Sequence, residues 1–118
     1  MFGELNLQLL KAIITQVKEN TQKVQDILSL YELMKNKIVE TTHSQYAIQV
    51  LDAIFAQPIF KTSDFIKRTG ITKTTAMGLL KQIRESGDLQ IIRQASGRQA
   101  AILMYPALLN ITEGRKVV

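Results

Sequence analysis

Residues 60–89 read F-K-T-S-D-F-I-K-R-T-G-I-T-K-T-T-A-M-G-L-L-K-Q-I-R-E-S-G-D-L. Two short amphipathic segments meet at Gly70, and Gly87 closes the second. That is the pattern of a helix-turn-helix, whose second helix is placed to enter a DNA major groove. The spacing predicts a first helix capped by Thr62 or Ser63, with Asp64 early, where the positive helix end favours a carboxylate. Phe65, Ile66 and the stem of Lys67 turn inward. Gly70 supplies the left-handed residue that ends this helix, Ile71 is the buried residue of the turn, and Thr72 caps the second helix. Ala76, Leu79 or Leu80, and Ile83 recur at helical spacing as its core face.

Beyond Gly87, Leu89–Arg93 reads as a strand, Ala95–Arg98 as a turn and Gln99–Tyr105 as a returning, largely apolar strand. A hairpin placed directly after a helix-turn-helix is the wing of a winged helix. Pro106–Leu109 is expected to form a helical turn, with residues 111–118 as a loose tail. Upstream, a helix is expected over Ser44–Ala56, ended by Pro58, with Gln57–Phe60 as an extended link because a residue before proline avoids the helical region. Its apolar face runs through Tyr46 or Ala47, Ile48, Val50, Leu51, Ile54 and Phe55.

Residues 4 to about 40 have no proline and no glycine. Leu10, Ile13, Ile14, Val17, Val24, Ile27, Leu28, Tyr31, Met34 and Ile38 line one face at steps of three, four or seven. Three readings stay open: a dimerisation helix, a hairpin broken near Asn20–Thr21, or the last helix of a domain lying elsewhere. Thr21 and Lys35 interrupt the heptad, so a two-stranded coiled coil is weakly specified. The expected architecture is mainly α. A long N-terminal helix over 1–43 leads into a winged helix-turn-helix domain over 44–110, with three helices and a two-stranded β-wing.

The 118 residues are 46% apolar with a net charge of +5, enough for one compact domain or a small domain plus an extended element. The charge is unevenly placed. Residues 1–43 balance Lys11, Lys18, Lys23, Lys35 and Lys37 against five acids, whereas residues 44–118 hold the whole basic excess. Basic charge concentrated around a helix-turn-helix favours a polyanion, here duplex DNA. On the groove-facing helix, Lys73, Thr74, Thr75, Met77, Lys81 and Gln82 are left outward. Lys and Thr there suit phosphates or bases, Gln82 suits adenine and Met77 a thymine methyl. Arg98 at the wing tip and Arg93 on the strand before it suit a phosphate or a minor groove. That helix presents no arginine among its outward candidates, so a protein-facing role is the alternative.

Catalysis finds little support. There is no cysteine, and the one histidine, His43, has no carboxylate at metal-ligand or triad spacing. No glycine-rich run forms a phosphate cradle. Neither a cofactor nor a metal is expected, and no small-molecule ligand is evident. The longest apolar run, Ala100–Leu109, is too short for a bilayer and contains Pro106. No basic region precedes an apolar core near the start, so no secretory signal is expected and the cytoplasm is the simplest location.

The run Gln45-Tyr46-Ala47-Ile48-Gln49-Val50-Leu51-Asp52-Ala53-Ile54-Phe55, then Pro58-Ile59-Phe60 and Ser63-Asp64-Phe65, resembles the C-terminal region of bacterial Fic-family proteins. Residues 4–40 are similar to the connecting helix of that family, including Ile27-Leu28-Ser29-Leu30-Tyr31-Glu32-Leu33-Met34. The resemblance implies a winged helix following an all-helical Fic domain. The family activity is transfer of AMP from ATP to a protein hydroxyl, through a loop reading H-P-F and a following phosphate-binding run. Neither is present here, since Ser44 and Gln45 follow His43. The resemblance therefore carries no catalytic residue over, and the transferase activity would belong to a parent protein.

Overall fold

In the computed structural model, residues 7–113 are described. They form five helices and a small three-stranded antiparallel sheet. The first helix, α1 (Leu7–Thr42), runs unbroken for 36 residues, about 54 Å at 1.5 Å per residue. The hairpin reading is thereby overturned: Asn20 and Thr21 lie mid-helix. Thr21 satisfies its hydroxyl on the Val17 carbonyl (2.9 Å), which lets a polar β-branched residue sit there. His43 ends α1 at φ 49°, an unusual angle for a residue with a Cβ.

The stripe along α1 divides. Met34 and Ile38 are buried in the core, and Ile27, Leu30 and Tyr31 pack against it. Leu10, Ile13, Ile14, Val17, Val24 and Leu28 stay exposed. Docking of α1 rests on α2 (Ala47–Ala56), α4 (Lys73–Glu85) and α5 (Pro106–Thr112). Tyr31 donates a 2.6 Å hydrogen bond to Asp52 and stands edge-to-face on Phe55 at 5.3 Å. Lys37 pairs with Asp88 at 2.7 Å. Through Met34 and Ile38, α1 supplies part of the core it leads into.

Helix α2 buries Ala47, Val50, Leu51 and Ile54. It starts three residues later than expected because Ser44 turns the chain, its Oγ accepting from the Tyr46 N–H (3.0 Å). Ile48 faces solvent. The stretch after Pro58 departs from expectation. Ile59–Lys61 is a strand, β1, not a link. It pairs antiparallel with β3 (Ile102–Met104), Phe60 opposite Leu103, and β3 pairs with β2 (Gln90–Arg93), Ile91 opposite Leu103. The order is β1-β3-β2. The expected two-stranded hairpin gains a third strand because both ends of the β1–β3 ladder continue: Tyr105 N–H donates to Pro58 O (2.7 Å) and Thr62 N–H to Ala101 O (3.0 Å).

Helix α3 (Thr62–Thr69) ends at Gly70, φ 71°, as expected. Neither Thr62 nor Ser63 caps it; Lys61 holds the N-cap position without a side-chain bond. Thr72 is the N-cap of α4, but its hydroxyl meets that of Thr75 (3.0 Å) instead of a backbone N–H. Both Leu79 and Leu80 are buried, with Ala76 and Ile83. Phe65 is fully buried and Ile66 partly, while Lys67 is exposed. At the far end, α5 extends through Ile111 and Thr112, beyond the expected turn, and residues 114–118 of the expected tail lie outside the described residues.

Candidate functional site

Two hollows lie side by side between α4 and the β3 side of the hairpin, and together they form a cleft. Its apolar end, about 300 Å³, is lined by Met77, Leu80, Lys81, Arg84, Ala101 and Leu103 together with Thr62 and Gly78. Its other end, about 430 Å³, is lined by Ser63, Ile66 and Lys67 of α3, Lys73 and Met77 of α4, and Ala95 and Gly97–Ala100 of the hairpin tip. Thr62 and Met77 border both.

Helical geometry explains which α4 residues reach the cleft. Lys73, Met77, Lys81 and Arg84 follow at steps of four, four and three, within about 80° of one another at about 100° per residue. The buried row of Ala76, Leu79, Leu80 and Ile83 flanks them, so the core seats α4 with its basic row toward the hairpin. Thr75 and Gln82 fall about half a turn from Met77 and Arg84 by the same count. They are exposed but do not line the cleft, and Thr74 lies between the two sets. The expected outward set is therefore split over two sides of α4.

The hairpin tip is built for tightness. Ser96 and Gln99 exchange both backbone bonds (3.1 and 2.9 Å) around Gly97 and Arg98. Gly97 has φ 57°, and Arg98 has no positive φ, the pattern of a II′ turn with glycine at its first central position. Arg98 is thereby held at the extreme tip, exposed, beside the basic end of the cleft. Arg93 is different. It is half-buried, its guanidinium donates to the Ala100 carbonyl at 2.8 Å, and its Nε is buried without a partner among the described residues. This bond ties Arg93 to the opposite side of the hairpin.

Two cations of the cleft were not singled out in the sequence reading, Lys67 and Arg84. Arg84 was findable, since it continues the row Lys73–Met77–Lys81 at helical spacing. Lys67 was not, because only the packing of α3 against α4 and the hairpin brings it to the cleft. Together Lys67, Lys73, Lys81, Arg84 and Arg98 line the cleft, and no carboxylate is among its lining residues. Glu85, 4.0 Å from Lys81, is the nearby acid; that exposed pair is weak. Such a surface can hold an anion along its length. Among the described residues no group of three His, Cys, Asp or Glu is placed to hold a metal, and no helix is long and apolar enough to cross a membrane. No family model matches the chain, and no curated protein matches it.

Proposed function

We propose that this chain is a winged-helix DNA-binding module with a regulatory role. One observation carries the reading: the basic row of α4 and the hairpin tip line two adjoining hollows that together hold five cations and no carboxylate. In this reading α3 and α4 are the helix-turn-helix, α4 enters the major groove, and the β2–β3 hairpin is the wing. Lys73, Lys81 and Arg98 meet phosphates, Met77 and Thr74 meet bases, and Thr75 and Gln82 make the further base contacts on the other side of the helix. Arg93 shapes the wing. On its resemblance to Fic-family C-terminal regions, this module would be the cytoplasmic regulatory part of a parent protein AMP transferase, with no cofactor or catalytic residue of its own.

Fluorescence anisotropy of labelled duplex DNA at two salt concentrations tests it. Affinity should fall steeply as salt rises, because each neutralised phosphate releases counterion. Lys73→Ala with Lys81→Ala should flatten that dependence by about two phosphate contacts. No binding at low salt, or an unchanged slope, would sink the DNA reading.

A second reading is favoured by the exposed apolar row Leu7, Leu10, Ile14, Val17, Val24 and Leu28 on α1. Here the module works through protein contacts, α1 packing against a second copy. Sedimentation velocity should then show a dimer that Ile14→Glu with Val17→Glu converts to monomer. A monomer at all concentrations removes this reading.

A further inference from the structure

The two ends of the cleft differ in chemistry. Around Lys67, Lys73 and Arg98 it is strongly cationic. Around Arg84 it has an apolar floor of Met77, Leu80, Ala101 and Leu103, with only Arg84 and Lys81 offering charge. A phosphate group alone offers no apolar body to set on that floor. Its volume of about 300 Å³ is that of the smaller organic-ligand pockets, which pair an apolar lining with a few orienting polar groups. Ala101, just before β3, and Leu103 within it both line the cleft, as the two-residue alternation of extended chain allows. The small side chain at Ala101 leaves the space open.

We propose that this end of the cleft binds a small amphipathic carboxylate, and that its occupation displaces DNA from α4. The aromatic or aliphatic body lies on Met77, Leu80 and Leu103, and the carboxylate meets Arg84 and Lys81. Because Met77 and Lys81 serve both ligands, the two compete. The displacement rests on the DNA reading above; the binding does not.

The test uses the full ¹⁵N-labelled chain and 1-naphthoate as probe, without DNA. Amide shifts should cluster at Met77, Arg84, Ala101 and Leu103. The neutral 1-naphthalenemethanol should bind about fivefold more weakly, the scale of an exposed charge pair, and Arg84→Gln with Lys81→Gln should remove that difference. Ala101→Phe, which fills the cleft, should abolish the shifts. Shifts confined to residues 7–28 of α1, or equal affinity for acid and alcohol, would overturn the site. With labelled duplex added, saturating naphthoate should weaken DNA binding at least fivefold. DNA binding unchanged while the cleft shifts persist overturns the displacement. No DNA binding with the shifts intact overturns the DNA reading and supports the carboxylate site.

Discussion

Tyr105 is buried at 2% exposure, its ring tilted against Phe55 at 5.6 Å, and its hydroxyl has no partner among the described residues. Burial, then the nearby Asp88, pushes its phenol well above the ordinary value of 10.0. A folded-state value raised in this way leaves stability untouched below pH 10 and lowers it as pH rises from the unfolded value of 10 towards the folded value. Tyr31, raised first by its hydrogen bond to Asp52 and then by burial, acts in the same direction. Tyr105→Phe should therefore be neutral or stabilising by about 1 kcal/mol at pH 7, because it removes an unsatisfied buried hydroxyl. It should also lessen the loss of stability above pH 10; urea titrations at pH 7 and pH 10.5 check both. Arg93 makes the matching point for charge. Its place in the sequence suggests an outward cation, and in the fold it is half-buried with its guanidinium donating to the Ala100 carbonyl.

Helix α4 is the element whose reading succeeded most fully. Its core residues, its start after Thr72 and its end before Gly87 follow from periodicity and glycine placement within thirteen residues. Gly78 is its weak point. It lies mid-helix and exposed, and an added Cβ meets nothing within 4 Å. Gly78→Ala should raise stability by about 1 kcal/mol through helix propensity alone, read as a higher urea midpoint at constant slope. If DNA or another backbone uses the bare spot, the same change weakens that contact while stabilising the fold. Strand β1 shows the opposite case. Three residues after a proline carry no periodicity, and their partner lies more than forty residues away at Ile102–Met104.

The whole molecule is elongated, 63 × 32 × 24 Å, because α1 outruns the body it packs on. Its stability should be distributed accordingly. Met34→Ala, deep in the core at 3% exposure, should cost about 2–5 kcal/mol. Ile14→Ala, on the exposed half, should change the stability of a monomer by no more than about 0.5 kcal/mol. Urea denaturation of both variants at low protein concentration checks the contrast; a large loss at Ile14 would mean that the first half of α1 is covered in solution.

Periodicity, glycine punctuation and the placement of charge are local properties, and they made α1, α3, α4 and the hairpin legible from residues within a few turns of one another. The division of the α1 stripe at Ile27 was not legible. Leu10 and Met34 are equally apolar members of one row, and only the arrival of α2, α4 and α5 makes one exposed and the other core. The cleft is the same kind of fact. Lys67, Arg84 and Arg98 come from three elements, and no window of sequence contains the packing that sets them around two adjoining hollows. Charge and periodicity belong to the chain, whereas strand pairing, burial and the meeting of distant side chains depend on which surfaces exclude water together.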